Sequence, residues 1–238
     1  MKWRSLDESA PSSDRRSLRE IFAERKELGR KYVPEDIRAI HARVVAELQQ
    51  QGFVPQPVGS QAPAFELKDH NGKLVSSIEL LSRGPLIIFF LRGRWCPFCV
   101  GQLEAMTLVA EDIKLAGASV VAISPQNVHQ SFLMHDQHKP RFPLLSDGGN
   151  HVARQFGLVY KVPDYQQAIY KSAFVNLPFA NGDASWELAI PATFVVNRDG
   201  SIVYGSANAD YTDRPEPAEI LQVVTSFSDQ ASQEPPVR

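Results

Sequence analysis

Cys96 and Cys99, three positions apart in the stretch IIFFLRGRWCPFCVGQL, are the two cysteines of a 238-residue chain. The thiolate is the nucleophilic form of cysteine. Two thiols one helical turn apart can attack a disulfide sulfur or a peroxide oxygen and then close on each other as a disulfide. The same spacing can bind zinc, but a structural zinc site wants four nitrogen or sulfur ligands. The close histidine pair His135 and His138 is what the sequence offers to complete one, so redox chemistry is the favoured reading and no metal or cofactor is expected.

Such a pair needs a frame. The run PLIIFFL before it is a continuous apolar strand of the kind buried on both faces of a parallel sheet. Val100, Leu103, Thr107, Ala110 and Ile113 follow it at helical spacing. Cys96 is therefore expected where strand gives way to helix, with Pro97 at the first helical position. Open α/β sheets gather their reactive groups at that carboxyl end. Free amides and the macrodipole at the helix start favour an anion there, and Arg92 and Arg94 push the same way. Cys96, at the helix mouth, is expected to be the more exposed and more acidic thiol, with Cys99 shielded and resolving. Trp95 and Phe98 are candidates either for substrate contact or for packing around the pair.

Further along the chain, Leu18, Ile21, Phe22 and Leu28 fall on one face of a charged helix. Pro34 suits the first turn of a second helix, which carries Ile37, Ile40, Val44 and Leu48 and stops at Gly52. The expected organisation is a helical extension and proline-rich linker over residues 1–57, with 1–13 disordered, then an α/β domain over 58–227 and a mobile tail over 228–238. Asn71-Gly72 marks a hairpin, ASVVAIS a second buried strand, 126–139 a helix, and PATFVVNRDGSIVYGSA two strands joined at Asn197 to Gly200. Residues 159–188 are far longer than an ordinary connection of about 2–6 residues. Their aromatics, prolines and Asn181-Gly182 point to a packed excursion with a short helix near Tyr165 to Ala173. Tyr165, Phe174, Phe179 and Trp186 are its candidates for an apolar wall near the thiolate, or for a local mini-core or dimer contact.

Composition is that of a globular protein, 43% hydrophobic and 22% charged, with a formal net charge of −2 and a pI of about 6.3. Nothing in that balance calls for nucleic acid or an anionic membrane. The arginine-rich helix RRSLREIFAERKELGRK interleaves glutamates with its bases, as a solvated or subunit-packing face does. The six histidines read as surface residues. The N-terminal MKWRSLDESAPSSDRR is polar, and PLIIFFL is far shorter than the ~20 residues a membrane span needs. Two cysteines are too few for a secreted disulfide framework. A cytoplasmic protein is expected, as a monomer or a homodimer.

WCPFC resembles the active-site motif of thioredoxin-fold proteins, and IPATFVVNRDG resembles the segment that carries their cis-proline, here Pro191. The order of segments is similar to the peroxiredoxin-like branch, the alkyl hydroperoxide reductase and thiol-specific antioxidant proteins. APAFELKDHNGKLVSS matches the opening hairpin of that branch, FFLRGRWCPFCVGQLEAM its active-site strand and helix, and FPLLSDGGNHVARQFGLVY and SWELAIPATFVVNRDGSIVY its later segments. The resemblance implies a thioredoxin-like α/β fold and thiol redox chemistry. The chain departs from the branch's PxxxTxxC motif: with Cys99 on the peroxidatic cysteine, the threonine position is Cys96, the proline position Arg92 and the activating-arginine position Pro191. Arg92 and Arg94 are the candidates to supply the missing charge. The expected function is hydroperoxide reduction through a Cys96–Cys99 disulfide, re-reduced by an external dithiol protein of the thioredoxin kind. A disulfide reductase is the first alternative and a redox-regulated binding protein the second.

Overall fold

Ser17 starts the first described helix with a capping box: its hydroxyl accepts the Glu20 amide at 3.2 Å, and the Glu20 carboxylate accepts the Ser17 amide at 2.8 Å. The structure is a computed structural model that describes residues 16–231. The expected disorder of 1–13 and the end of the expected tail lie outside that range. Helix α1 (Leu18–Tyr32) buries Leu18 and Phe22. Leu28 was expected on the same face but is 47% exposed; ten residues at about 100° each put it about 80° round the helix from Leu18. Helix α2 (Glu35–Gln51) begins after Pro34, which caps it rather than entering its first turn. It ends at Gly52, whose φ of 71° suits glycine, and Val44 is its buried residue, with Ile37, Ile40 and Leu48 half-buried.

Strands β1 (Glu66–Asp69) and β2 (Leu74–Ser76) form the Asn71-Gly72 hairpin. Then follow α3 (Ser77–Arg83), β3 (Leu86–Phe90), α4 (Pro97–Leu115), β4 (Ser119–Ser124), α5 (Val128–His138), β5 (Leu144–Ser146) and α6 (His151–Gln155). The excursion contributes β6 (Val159–Lys161), α7 (Asp164–Ser172), α8 (Leu177–Asn181) and β7 (Glu187–Ala189). The chain closes with β8 (Ala192–Val196), β9 (Ile202–Ala207) and α9 (Pro217–Ala231), so the last helix runs past residue 227, where the tail was expected to begin.

Seven strands form one mixed sheet in the order β2-β1-β5-β4-β3-β8-β9. β3 lies parallel to β4 and antiparallel to β8. Because side chains alternate across a strand, β3 feeds two cores. Ile87 and Phe89 pack with Leu103, Met106 and Ile113 of α4 and Ile220 and Val224 of α9. Leu86, Ile88 and Phe90 pack with Val152, Phe156 and Phe194 on the opposite face. A strand buried on both faces is what an unbroken apolar run requires, and the architecture is the expected thioredoxin-like α/β fold.

Two segments wrap the domain over the carboxyl end of β3. Phe22 of α1 meets Phe98 of α4 edge-on at 5.0 Å, and Arg25 donates to the Pro97 carbonyl. Gly101 makes this approach possible, since a Cβ there would stand 2.8 Å from the Phe22 ring. The excursion folds on itself, with β6 and β7 pairing its two ends and Val162, Tyr170, Leu177 and Leu188 making a small core. Helix α7 in turn packs on α2: Gln166 bonds His41 at 3.1 Å and the Tyr165 hydroxyl donates to Glu47.

Candidate active site

After Leu91 the chain must leave the sheet and start a helix within five residues. Gly93, at φ 144°, makes the turn, and a Cβ there would lie 2.7 Å from Trp95 Nε1. The Cys96 amide donates to the Gly93 carbonyl at 3.1 Å, and Cys96 takes extended backbone angles as the N-cap of α4, with Pro97 in the first helical turn. Both thiols are free and buried, Cys96 1% and Cys99 0% exposed. The expected exposure of Cys96 is therefore not observed.

Arg92 organises the site. Its backbone N–H donates to the Cys99 sulfur at 3.3 Å, and its Nη1 stands 3.9 Å from the Cys96 sulfur. Its Nη2 donates to the Tyr170 hydroxyl. The guanidinium lies 4.8 Å from the Trp95 ring and 4.3 Å from the Tyr211 ring, positions that stabilise a cation. Trp95 packs edge-on against Tyr170 at 5.2 Å. Among the described residues Arg92 has no carboxylate within ion-pair distance, and its Nε has no hydrogen-bond partner.

These surroundings split the two thiols. Burial pushes the Cys96 thiol up, but a hydrogen bond from Cys99 and the Arg92 guanidinium outweigh it and lower it to about 5. Burial also pushes Cys99 up, and there the neighbouring Cys96 thiolate adds to the effect. The reduced pair thus holds one negative charge on Cys96 and one proton on Cys99. Such a thiolate is a ready nucleophile at neutral pH.

Of the other sequence-derived site residues, Arg94 is exposed: its amide donates to Gln126 at 2.7 Å and its Nη1 to Gln130 at 3.3 Å. The Gly93 turn swings it away from the strand axis. The second cation near the sulfurs is Arg214, in the segment between β9 and α9, whose guanidinium feels both Cys99 and Cys96. Pro191 lies beside Arg92 on the wall of a small cavity of about 10 Å³, which His41, Tyr160, Gln166 and Tyr211 also line. The expected cis peptide at Pro191 is not found; no peptide bond among the described residues is cis, and trans is the ordinary state of a bond before proline.

The excursion reaches the site through different residues from those expected. Phe174 and Phe179 are 97% and 67% exposed. Tyr165 turns to Arg43 and Glu47 of α2, and Trp186 joins the small core beside Lys171. Tyr170 and Tyr160 meet Arg92 instead. Spacing carried that signal for Tyr170: Gln166 and Tyr170 are four apart on one face of α7, opposite to the exposed Asp164 and Ala168. His41 and His70 are not surface residues. Burial and the Arg92 charge lower His41 to about 4, so it is neutral beside Arg92, while His70 is buried and stacks on His135 at 3.5 Å. His138 pairs with Glu104 at 3.1 Å, so the histidine pair engages separate partners.

The family model for the AhpC/TSA family matches residues 58–205. A chloroplastic peroxiredoxin Q of Suaeda salsa is 32% identical over 121 residues, 51% of this chain and 52% of that protein. The chain therefore spans about half the length of such curated relatives. Among solved structures, the peroxidoxin BcpB of Mycobacterium tuberculosis superposes with a TM-score of 0.56 at 22% identity, over 71% of this chain and 97% of that one. A peroxiredoxin 6 of Arenicola marina superposes with a TM-score of 0.60 at 19% identity, over 75% and 76%. At those identities the superpositions speak for the fold.

Proposed function

Since the chain belongs to the AhpC/TSA family, we propose that it is a thiol peroxidase that reduces hydroperoxides through a Cys96–Cys99 dithiol–disulfide cycle, with electrons returned by an external dithiol protein of the thioredoxin kind. One observation carries the reading: a buried guanidinium without a carboxylate partner stands 3.9 Å from the more acidic thiol. A small cavity of about 10 Å³, with room for about one water-sized molecule, is lined by Arg92 and Gln166 but by neither cysteine, and Arg92 Nε and Gln166 Oε1 are buried without a partner. In this reading the Cys96 thiolate attacks the distal peroxide oxygen, and Arg92 holds first the thiolate and then the charge developing in the O–O bond.

The disulfide-reductase alternative draws on the Cys-x-x-Cys pair itself. Membership of the AhpC/TSA family favours the peroxidase reading over it. A cytoplasmic setting belongs to the same proposal, since two cysteines kept as working thiols suit a reducing compartment. Among the described residues no helix is long and apolar enough to cross a membrane.

Steady-state consumption of hydrogen peroxide or cumene hydroperoxide with excess dithiothreitol tests the proposal. Turnover by the wild type and none by Cys96→Ser is the expected result. Reduction of insulin disulfides without peroxide consumption assigns the site to the alternative.

A further inference from the structure

Arg92 must aim one nitrogen at a sulfur, yet most of what surrounds it gives no direction. The Trp95 ring at 4.8 Å and the Tyr211 ring at 4.3 Å attract the guanidinium as a whole, and an aromatic face does not tell one of its nitrogens from another. Its Nε has no hydrogen-bond partner. Among the described residues the side chain donates to two groups, Cys96 Sγ from Nη1 and the Tyr170 hydroxyl from Nη2. A guanidinium is a planar fork of fixed shape, so holding one Nη sets where the other points. The Cys96 thiolate is no lasting anchor, since its charge disappears whenever the sulfur is oxidised. Tyr170 is the anchor that remains.

We propose that Tyr170 is the positioning residue of Arg92: by taking Nη2 it aims Nη1 at Cys96, so that a side chain of the excursion directs the charge that the sulfur meets. The packing around Tyr170 suits it to the task. Its buried ring stands edge-on to Trp95 at 5.2 Å and joins Val162, Leu177 and Leu188 in the small core of the excursion, so the place of the hydroxyl is fixed from outside the Cys96 loop. Among the described residues that hydroxyl bonds to Arg92 and to no other group. Burial also keeps the phenol protonated well above its ordinary range, which makes it a neutral acceptor. A carboxylate in this place would pair with the cation and compete with the thiolate for it. A phenol oxygen orients the fork and leaves its charge for the sulfur. The effect on Cys96 ionisation needs no peroxide, whereas an effect on O–O cleavage rests on the peroxidase reading, in which the same nitrogen meets the charge of the breaking bond.

The test compares reduced wild type, Tyr170→Phe, Arg92→Gln and the double variant by iodoacetamide labelling of Cys96 across pH. In Tyr170→Phe the labelling midpoint should rise by about 1 unit, the shift expected when a cation in close contact draws back by about 2 Å. A loss of stability alone does not move that midpoint in folded protein. In the Arg92→Gln background the same substitution should move it by about 0.2 unit or less, since the effect passes through Arg92. An unmoved midpoint in Tyr170→Phe, or an equal shift in both backgrounds, overturns the inference. Stopped-flow oxidation by hydrogen peroxide at pH 8, where the thiol of Tyr170→Phe is still ionised, should slow by about tenfold, and an unchanged rate overturns the part in O–O cleavage. A shifted midpoint in Tyr170→Phe beside a wild type that peroxide leaves untouched removes the peroxidase reading and upholds the positioning role. If Tyr170→Phe does not fold, ¹⁵N NMR of the wild type decides. Nη1 and Nη2 of Arg92 should give two separate resonances in the disulfide form as in the reduced form, because Tyr170 holds the fork when no thiolate remains. A single averaged resonance in the disulfide form overturns the assignment.

Discussion

Nη1 of Arg92 stands 3.9 Å from Sγ of Cys96, and that guanidinium has no carboxylate partner among the described residues. An arginine in a dry site with no acidic residue to neutralise it makes the thiol its counter-ion. The residue follows Leu91, whose N–H donates to the Ile123 carbonyl at 2.8 Å, and its own N–H is engaged with Cys99. The geometry therefore holds both sulfurs through one residue.

Arg92→Gln removes the charge and keeps the approximate size. The pH midpoint for alkylation of Cys96 should rise by about 1–3 units, the range expected when a close opposite charge is lost. Iodoacetamide labelling of the reduced protein across pH, read by mass spectrometry at Cys96, checks this. An unmoved midpoint assigns the acidity to the helix start and the Cys99 hydrogen bond instead.

Tyr170→Phe should destabilise the protein by about 1–3 kcal/mol, because Nη2 of buried Arg92 loses its acceptor and nothing replaces it. The Trp95 contact survives in the phenylalanine ring, so packing loss is small. Urea denaturation of the reduced protein measures the difference. A neutral substitution means that water reaches Nη2.

Gly101→Ala tests how α1 is held. The added methyl meets the Phe22 ring and the Arg25 guanidinium, and overpacking of this kind costs about 1–3 kcal/mol, more than the roughly 1 kcal/mol that alanine gains over glycine in a helix. Amide exchange in α1 should quicken while that in α4 stays slow. Equal protection of α1 in both proteins contradicts the contact.

Stability should carry the signature of the split thiols. Cys96 ionises at lower pH in the folded protein than unfolded, so its contribution is full above the ordinary thiol range of about 9 and is lost as pH falls through about 5. Cys99 has the opposite sign: burial pushes it up, so it removes stability as pH rises above that range. Other groups titrate as well, so the readout is the difference in urea midpoint between reduced wild type and Cys96→Ser. That difference should grow in favour of the wild type from pH 5 to pH 8, and a flat difference contradicts the assigned charge.

Sequence pattern made the frame legible because its signals are local. PLIIFFL reads as a doubly buried strand and is one, Asn71-Gly72 turns a hairpin, and Pro97 stands in the first turn of the helix. The site was legible only where it is contiguous in the chain. Arg92 and Arg94 are two residues apart and carry equal charge on paper, and the φ of Gly93 sends one to the sulfurs and the other to solvent. Tyr170, His41 and Tyr211 come from three separate segments that tertiary packing brings together, and no spacing in the sequence links them. For the excursion, side-chain size misled: its most apolar rings, Phe174 and Phe179, face outward, and helical phase decided which aromatic turned in.

The most direct measurement is stopped-flow oxidation of the reduced protein by hydrogen peroxide under pseudo-first-order conditions from pH 4 to pH 9, following loss of the Cys96 thiol. The rate should rise with a midpoint near 5 and be flat through neutrality. At pH 7 it should exceed that of free cysteine by more than the roughly 30-fold that complete ionisation alone supplies over a thiol of pKa about 8.5. A rate that climbs through pH 8 and stays at the level of free cysteine contradicts the account, since it would mean that Arg92 neither ionises Cys96 nor assists the breaking O–O bond.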